Sequence, residues 1–250
     1  MSFKDHFSQL ANEYAKYRPH YSAALFEYLA ALAPARETAW DCATGNGQAA
    51  LGLAPYFARI LATDASAQQI TRAVPHERIE YRVAVAEHTD IGSHSVDLIT
   101  VAQALHWFRF DEFYAEVNRV LRPGGVIAVW SYDLLRCDPE IDRLLDEFYY
   151  RLIGPFWPPE RKFVEERYRT IPFPYPEIAP PDFFMETEWL LEDLIGYLRT
   201  WSATQRFIAQ QKFDPLPDLR GKLAKIWGEP AQRKHMQWPL HLGVGRLSAA

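Results

Sequence analysis

The chain predicts an α/β fold: a Rossmann-like, seven-stranded, mostly parallel sheet with helices on both faces. N-terminal helices precede it, and the C-terminal half carries a lid insertion. Three observations point there. Short apolar strands alternate with helical stretches from about residue 38 onward. A glycine-bearing turn, Asp41-Cys42-Ala43-Thr44-Gly45-Asn46-Gly47, follows the first strand. Val126–Trp130 is apolar throughout, as a parallel strand covered on both faces must be.

The elements follow in order. Leu25, Leu29 and Leu32, with Phe26 and Tyr28 nearby, recur at helical spacing until Pro34 stops the run. Before them, Tyr14-Ala15-Lys16-Tyr17-Arg18-Pro19-His20-Tyr21 reads as a polar-aromatic bend. Thr38–Cys42 is the first strand and Asn46–Pro55 a short helix. Arg59–Thr63 is the second strand, ending at Asp64. Ser66 caps a helix running to Val74, which Pro75 closes. Ile79–Val85 and Val96–Val101 are the third and fourth strands. Phe110–Leu121 places Phe110, Phe113, Tyr114, Val117, Val120 and Leu121 on one helical face. Arg122-Pro123-Gly124-Gly125 ends that helix, and Val126–Trp130 is the fifth strand.

After residue 138 the regularity weakens. Glu140–Leu152 reads as a helix. Gly154-Pro155-Phe156-Trp157-Pro158-Pro159 and Ile171-Pro172-Phe173-Pro174-Tyr175-Pro176 frame a proline-rich excursion. Phe183–Trp189 and Met236–Val244 are the last strand candidates. Leu191, Leu194, Ile195 and Leu198 mark a helix between them. The whole reads as one domain over 1–250. It divides into a helical cap at 1–36, a cofactor-binding core at 37–135, and at 136–250 the end of the sheet with its insertion. Residues 154–182 read as a lid over the site, with a surface elaboration that only packs as the plainer account.

Composition narrows the function classes. The chain is 48% hydrophobic and 24% charged, which excludes a disordered or fibrous protein. Its formal net charge is −5 with no block of like charge, which speaks against a nucleic-acid partner. Two cysteines, Cys42 and Cys137, make neither a disulfide framework nor a zinc spacing, so no metal is expected. No apolar run reaches the roughly 20 residues of a membrane span, and no signal-peptide pattern opens the chain. The expectation is a cytoplasmic protein, monomeric or homodimeric, with no membrane partner. Aromatics make up 14% of the chain, enough to line an apolar ligand pocket as well as the core.

The turn at Asp41–Gly47 carries the chemistry. Glycines there let the backbone approach a ligand, and the next helix offers free N–H groups. Gly45-Asn46-Gly47-Gln48-Ala49-Ala50 also fits a dinucleotide pattern, so the turn alone decides little. Asp64 ends the second strand, where a carboxylate accepts hydrogen bonds from both hydroxyls of a ribose. Together they indicate an adenosine-bearing ligand. Three features separate a nicotinamide from a sulfonium donor. Asp41, just before the turn, repels a pyrophosphate but suits a cationic amino-acid end. About 37 residues precede the first strand, where dinucleotide domains often begin at it. Arg119-Val120-Leu121-Arg122-Pro123-Gly124-Gly125 leads directly into strand five.

These pieces resemble the class I S-adenosylmethionine-dependent methyltransferases, in particular a small-molecule branch resembling the trans-aconitate methyltransferases. Thr63-Asp64-Ala65-Ser66, Ala86-Glu87, Ser95-Val96-Asp97-Leu98 and Ala104-Leu105-His106-Trp107-Phe108 match beside the turn and the Pro-Gly-Gly run, in order and spacing. The resemblance covers roughly residues 10–132. One departure is Ala43, where many members have glycine; only a modest local change is expected. The resemblance implies S-adenosyl-L-methionine as cofactor. It implies that Asp41, Ala43, Thr44, Gly45 and Gly47 surround the methionine moiety, with Tyr17 closing over from the N-terminal segment. Asp64, with Ala65 beside it, would hold the ribose. Ala86 and Glu87 would border the adenine, and Gln103 would lie under the sulfonium region. Glu87 reads equally as a solvated loop carboxylate.

Methyl transfer from a sulfonium is an in-line displacement that depends on alignment and electrostatics. His106 is read as a general base or as a donor that orients the acceptor, against a structural histidine bonded to a backbone carbonyl. Trp107 walls the pocket or packs under the next helix. Tyr14 and Arg18 are the remaining catalytic candidates, with Arg18 meeting a carboxylate of donor or acceptor. The acceptor is expected to be a small molecule, first an anionic acid, with Arg109, Arg161 and Arg206 as its possible partners or as ordinary surface charges. An NAD-dependent oxidoreductase and a non-catalytic S-adenosylmethionine-binding regulator are the alternatives.

Overall fold

Alternation of strand and helix in the sequence becomes alternation of layers in space. The computed structural model describes residues 19–248. Its strands are β1 (Thr38–Cys42), β2 (Arg59–Asp64), β3 (Ile79–Val83), β4 (Val96–Ala102), β5 (Leu121–Tyr132), β6 (Phe183–Trp189) and β7 (Lys234–Arg246). They form one seven-stranded sheet in the order β3-β2-β1-β4-β5-β7-β6. The first five are parallel, and β7 enters antiparallel between β5 and β6.

The helices are α1 (Ala23–Leu32), α2 (Gln48–Leu53), α3 (Ala67–Thr71), α4 (Phe110–Val120), α5 (Pro139–Asp146), α6 (Arg161–Glu165), α7 (Leu191–Arg199), α8 (Ser202–Gln211) and α9 (Leu216–Trp227). Short 3₁₀ turns span Leu105–Trp107 and Gly154–Phe156, and a π-helix spans Glu147–Leu152.

Adjacent residues on one strand serve opposite faces, which builds two cores. Ala39, Leu98, Val126 and Ala128 face the layer of α1, α2, α5 and α7–α9. Trp40, Ile99, Ile127 and Val129 face the layer of α4. On α4, Phe113, Val117 and Val120 are fully buried, which is worth about 1.5–3 kcal/mol for each side chain.

Several boundaries differ from the sequence reading. The helix after Ser66 stops at Thr71, short of Val74, and the third strand stops at Val83 rather than Val85. The short helix after the glycine turn runs over Gln48–Leu53 instead of Asn46–Pro55. Glu140–Leu152 is α5 followed by the π-helix. The stretch Arg122-Pro123-Gly124-Gly125 belongs to β5 rather than to a connecting loop. Gly124 donates to the Leu247 carbonyl at 3.0 Å, and Leu247 donates to the Gly125 carbonyl at 2.9 Å, so β7's end continues the sheet there. Between residues 200 and 233 the sequence reading assigns no element, yet α8 and α9 occupy it.

The proline-rich excursion is fastened to the α4 face. Val164, Tyr168, Ile171 and Tyr175 are buried in that core. Tyr114 donates to the Pro172 carbonyl at 2.6 Å, Tyr175 to Asn118 at 3.1 Å, and the Ile178 amide to the Val244 carbonyl at 2.9 Å. These contacts make residues 164–178 part of the packed body. Among the described residues no helix is long and apolar enough to cross a membrane.

Candidate active site

The sheet winds one way from β1 to β2 and β3, and the other way to β4 and β5. Between β1 and β4 the carboxyl ends open a crevice at this switch point, where α/β sheets bind ligands. The site residues from the core segment fall on the loops there. Ala43–Gly47 follow β1, Ala65 follows β2, Ala86 and Glu87 follow β3, and Gln103, His106 and Trp107 follow β4.

Asp41 organises the turn from beneath. It is fully buried, paired in register with Thr100 of β4 and Ala62 of β2. Its Oδ1 accepts from the Thr100 hydroxyl at 2.8 Å. Its Oδ2 accepts from the Thr44 hydroxyl and, at 3.0 Å, from the Ala50 amide in α2. Burial pushes its carboxyl up to about 6, against the pull of these three donors. Both side-chain oxygens are engaged inside the fold, where they tie strand, turn and helix together.

Asp64 is the second organiser. Its Oδ2 accepts from the Gly45 amide at 2.9 Å and its Oδ1 from the Ser66 amide at 2.8 Å. Ser66 caps α3, as its sequence position suggests, with its hydroxyl accepting from Gln69 at 3.4 Å. Asp64 therefore joins the two loops that flank the crevice. The turn itself is shaped by left-handed residues: Ala43 at φ 55°, Gly45 at 59° and Gly47 at 89°. A Cβ on Gly45 would meet no described atom within 4 Å, so the turn presents an open backbone cradle. A Cβ on Gly47 would lie 2.3 Å from the Tyr81 hydroxyl oxygen. That position needs glycine both for its φ and for the close ring.

Glu87 is not a solvated loop carboxylate. Its Oε1 accepts from the Arg109 amide at 2.9 Å, at the entry to α4. Gln103, at φ 55°, spends its side-chain carbonyl on the Tyr132 amide at 3.0 Å, and its own amide donates to Trp130 at 2.8 Å. It staples the ends of β4 and β5. Ala86 is buried.

His106 is buried on its 3₁₀ turn, and its partner is a side chain rather than a backbone carbonyl. Its Nδ1 lies 2.7 Å from the Tyr168 hydroxyl, which comes from the proline-rich excursion. Burial, helped by the charge of Arg161, drives its pKa down to about 3. Tyr168 is pushed well above its ordinary value by burial and stays protonated. The imidazole is thus neutral and held. Trp107 packs against it with the rings tilted and 4.8 Å between centroids, and is about a third exposed. Tyr168 carries no sequence signal of its own, because only the fold brings it to His106.

Tyr14, Tyr17 and Arg18 lie outside the described residues. Pro19, next in the chain, receives a hydrogen bond from Gln48 Nε2 at 2.9 Å at the start of α2.

Comparisons with known proteins find methyltransferases along most of the chain. A family model described as a methyltransferase domain matches residues 40–129. A protein of Dictyostelium discoideum assigned as a methyltransferase is 34% identical over 229 residues, covering 90% of this chain and 87% of its own. A solved structure from Anaeromyxobacter dehalogenans, assigned as a type II methyltransferase, is 44% identical with a TM-score of 0.88, covering 93% of this chain and 99% of that one. A structure from Bacillus halodurans at 19% identity, with a TM-score of 0.51, covers 91% of this chain and 99% of its own and shares the fold.

Proposed function

Because the chain belongs to the class I S-adenosylmethionine-dependent methyltransferases, we propose that it methylates a small-molecule acceptor held beside His106 and Trp107. The observation that carries this reading is the paired-aspartate framework. Asp41 and Asp64 lock the Ala43–Gly47 turn as an open cradle at the switch point of the sheet. Bound there, the cofactor supplies a methyl group already activated on a cationic sulfur, so the protein's contribution is alignment.

The residues fit that cofactor. The backbone of Ala43, Thr44, Gly45 and Gly47 would receive its methionine end, and Asp64 with Ala65 its ribose. Ala86 and Glu87 would border the adenine. Gln103 would shape the floor below the sulfonium by holding β4 and β5 together. Tyr17, Tyr14 and Arg18 would close over from the N-terminal side, next to Pro19 and its contact with Gln48.

A histidine whose conjugate acid has a pKa of about 3 does not take a proton from a hydroxyl or amine near neutral pH. His106 therefore orients the acceptor and does not activate it. An acceptor that needs no base from His106 fits this site, and a carboxylate, ionised at neutral pH, is one such acceptor.

Thermal unfolding with S-adenosylmethionine, S-adenosylhomocysteine and NAD in parallel tests the reading. The two sulfur ligands should raise the melting temperature, and Asp64→Asn should remove most of that shift. A shift with NAD alone would overturn it. Transfer of a labelled methyl group to a panel of small carboxylic acids then tests the acceptor, and transfer only to amines or alcohols would sink the carboxylate.

A further inference from the structure

The three arginines offered as partners for an anionic acceptor are not equivalent. Arg109 is exposed and paired with Glu87 at 3.7 Å and Glu112 at 2.7 Å. Arg206 donates to the Phe156 carbonyl at 3.3 Å. Arg161 is different. Its Nε donates to the Tyr149 hydroxyl at 2.6 Å. Its guanidinium lies over the Trp157 ring at 4.7 Å and over the Tyr149 ring at 5.4 Å. Among the described residues it forms no ion pair. Glu165 is reached only through the Tyr149 hydroxyl, which lies 3.1 Å from that carboxylate.

Arg161 lines a cavity of about 120 Å³ that opens directly after β5, at the carboxyl edge of the sheet. Its other cations are paired, Arg136 with Asp146 at 3.0 Å and Arg167 with Asp133 at 3.2 Å, and two carboxylates share the wall, Asp133 and Glu165, the latter accepting from the Tyr149 hydroxyl at 3.1 Å. Tyr149 and Tyr150, both in the wall, come from the π-helix. Such a turn is rare and recurs at functional sites. The cavity neighbours the reaction site, because α6, which begins at Arg161, packs on the turn that carries His106.

Size sets what it can hold. At roughly 30 Å³ for each water, the space takes about four water-sized groups. That suits a charged head group with a few carbons, where whole-ligand pockets run from about 300 Å³ upward. A guanidinium already stacked on aromatic rings loses little freedom on binding, and its planar fork matches a carboxylate.

We propose that this cavity is an anion subsite of the acceptor pocket, in which a carboxylate of a small acid rests on the terminal nitrogens of Arg161. The assignment of the cavity to the acceptor rests on the methyltransferase reading above. The carbon body of the acid lies against Leu134 and Tyr150, which line the same space. Recognition is thereby separated from the donor turn.

The test titrates the full chain with propionate, methyl phosphate and propionamide, with and without S-adenosylhomocysteine, by calorimetry and by the arginine Nε–H resonances. Propionate should bind in the millimolar range or tighter and move the Arg161 resonance, with propionamide at least about tenfold weaker. Arg161→Gln should weaken propionate by about tenfold or more, and Arg161→Lys, which keeps the charge but loses the fork, by a smaller factor. Arg109→Gln should leave propionate binding unchanged. Equal affinity for propionate and propionamide, or full propionate affinity in Arg161→Gln or Arg161→Lys, would overturn the subsite. Preference for methyl phosphate would replace the carboxylate with a phosphate ester. Should Arg161→Gln misfold, the lysine variant and the wild-type resonance still decide. Failure of S-adenosylhomocysteine to stabilise the chain would count against the methyltransferase reading and leave the propionate result standing on its own.

Discussion

Ala43 sits at φ 55°, in the region where a Cβ costs about 1–2 kcal/mol. Ala43→Gly should therefore raise stability by about 1 kcal/mol after the added freedom of the unfolded chain is counted, a rise of about 2–4 °C in Tm. Asp41 gives a pH signature. Its carboxyl is raised by burial to about 6 from an ordinary value of 3.8. A raised folded-state value means that its contribution is fully present below about pH 4 and is lost as pH rises through 6. Denaturant unfolding between pH 4 and 7 should show that loss, on the order of 2–3 kcal/mol, and Asp41→Asn should flatten it. His106 runs the other way. Its lowered value means that stability is lost as pH falls from about 6.5 toward 3.

At the scale of elements, the contact between the excursion and the 3₁₀ turn can be cut with one atom. Tyr168→Phe removes the hydroxyl at His106 Nδ1 and leaves a buried nitrogen unsatisfied. It should cost about 1–3 kcal/mol of stability. It should also lower kcat while leaving S-adenosylhomocysteine affinity unchanged, because it frees the ring that orients the acceptor. A merely structural tyrosine would leave kcat at permissive temperature intact. Gly47→Ala acts on the donor side. Its Cβ would drive the Tyr81 hydroxyl from its 3.0 Å bond to the Val74 carbonyl, on a backbone at φ 89°. The loss of ligand-induced stabilisation in calorimetry should be nearly complete, with acceptor binding retained.

Across the whole molecule, the amino ends of three strands meet at Asp97. This fully buried carboxylate accepts from the Glu37 and Thr38 amides at 3.0 and 2.9 Å and from Arg122 at 2.7 Å. The motif that runs into Pro123-Gly124-Gly125 is therefore a fastening of β1, β4 and β5 at the edge opposite the site. Arg122→Ala should lower the denaturant midpoint by an amount equivalent to about 2–3 kcal/mol, because a buried charge loses its partner. Cofactor affinity of the folded protein should stay unchanged, since nothing at the crevice moves.

The sequence by itself determined the alternating strands through β5, the glycine turn and its aspartate partner at the end of β2, and with these an adenosine-bearing ligand; the Pro-Gly-Gly run and the family resemblance then pointed to the methyl donor. Those features are local: an apolar run, a cap, a left-handed turn, a spacing of a few residues. α9 went unassigned, although Leu216, Leu219, Leu223 and Trp227 recur at helical spacing and are all buried. Prolines at its start hide the pattern. Only the tertiary structure decided the rest. It made Asp41 a buried strut, because its partners Ala50 and Thr100 meet it only when α2 and β4 pack beside β1. It brought Tyr168 onto His106 across 62 positions of chain. It surrounded Arg161 with Tyr149 and Trp157 and, among the described residues, with no carboxylate in an ion pair to it. Such contacts depend on which distant residues share a cavity, and no periodicity along the chain records that.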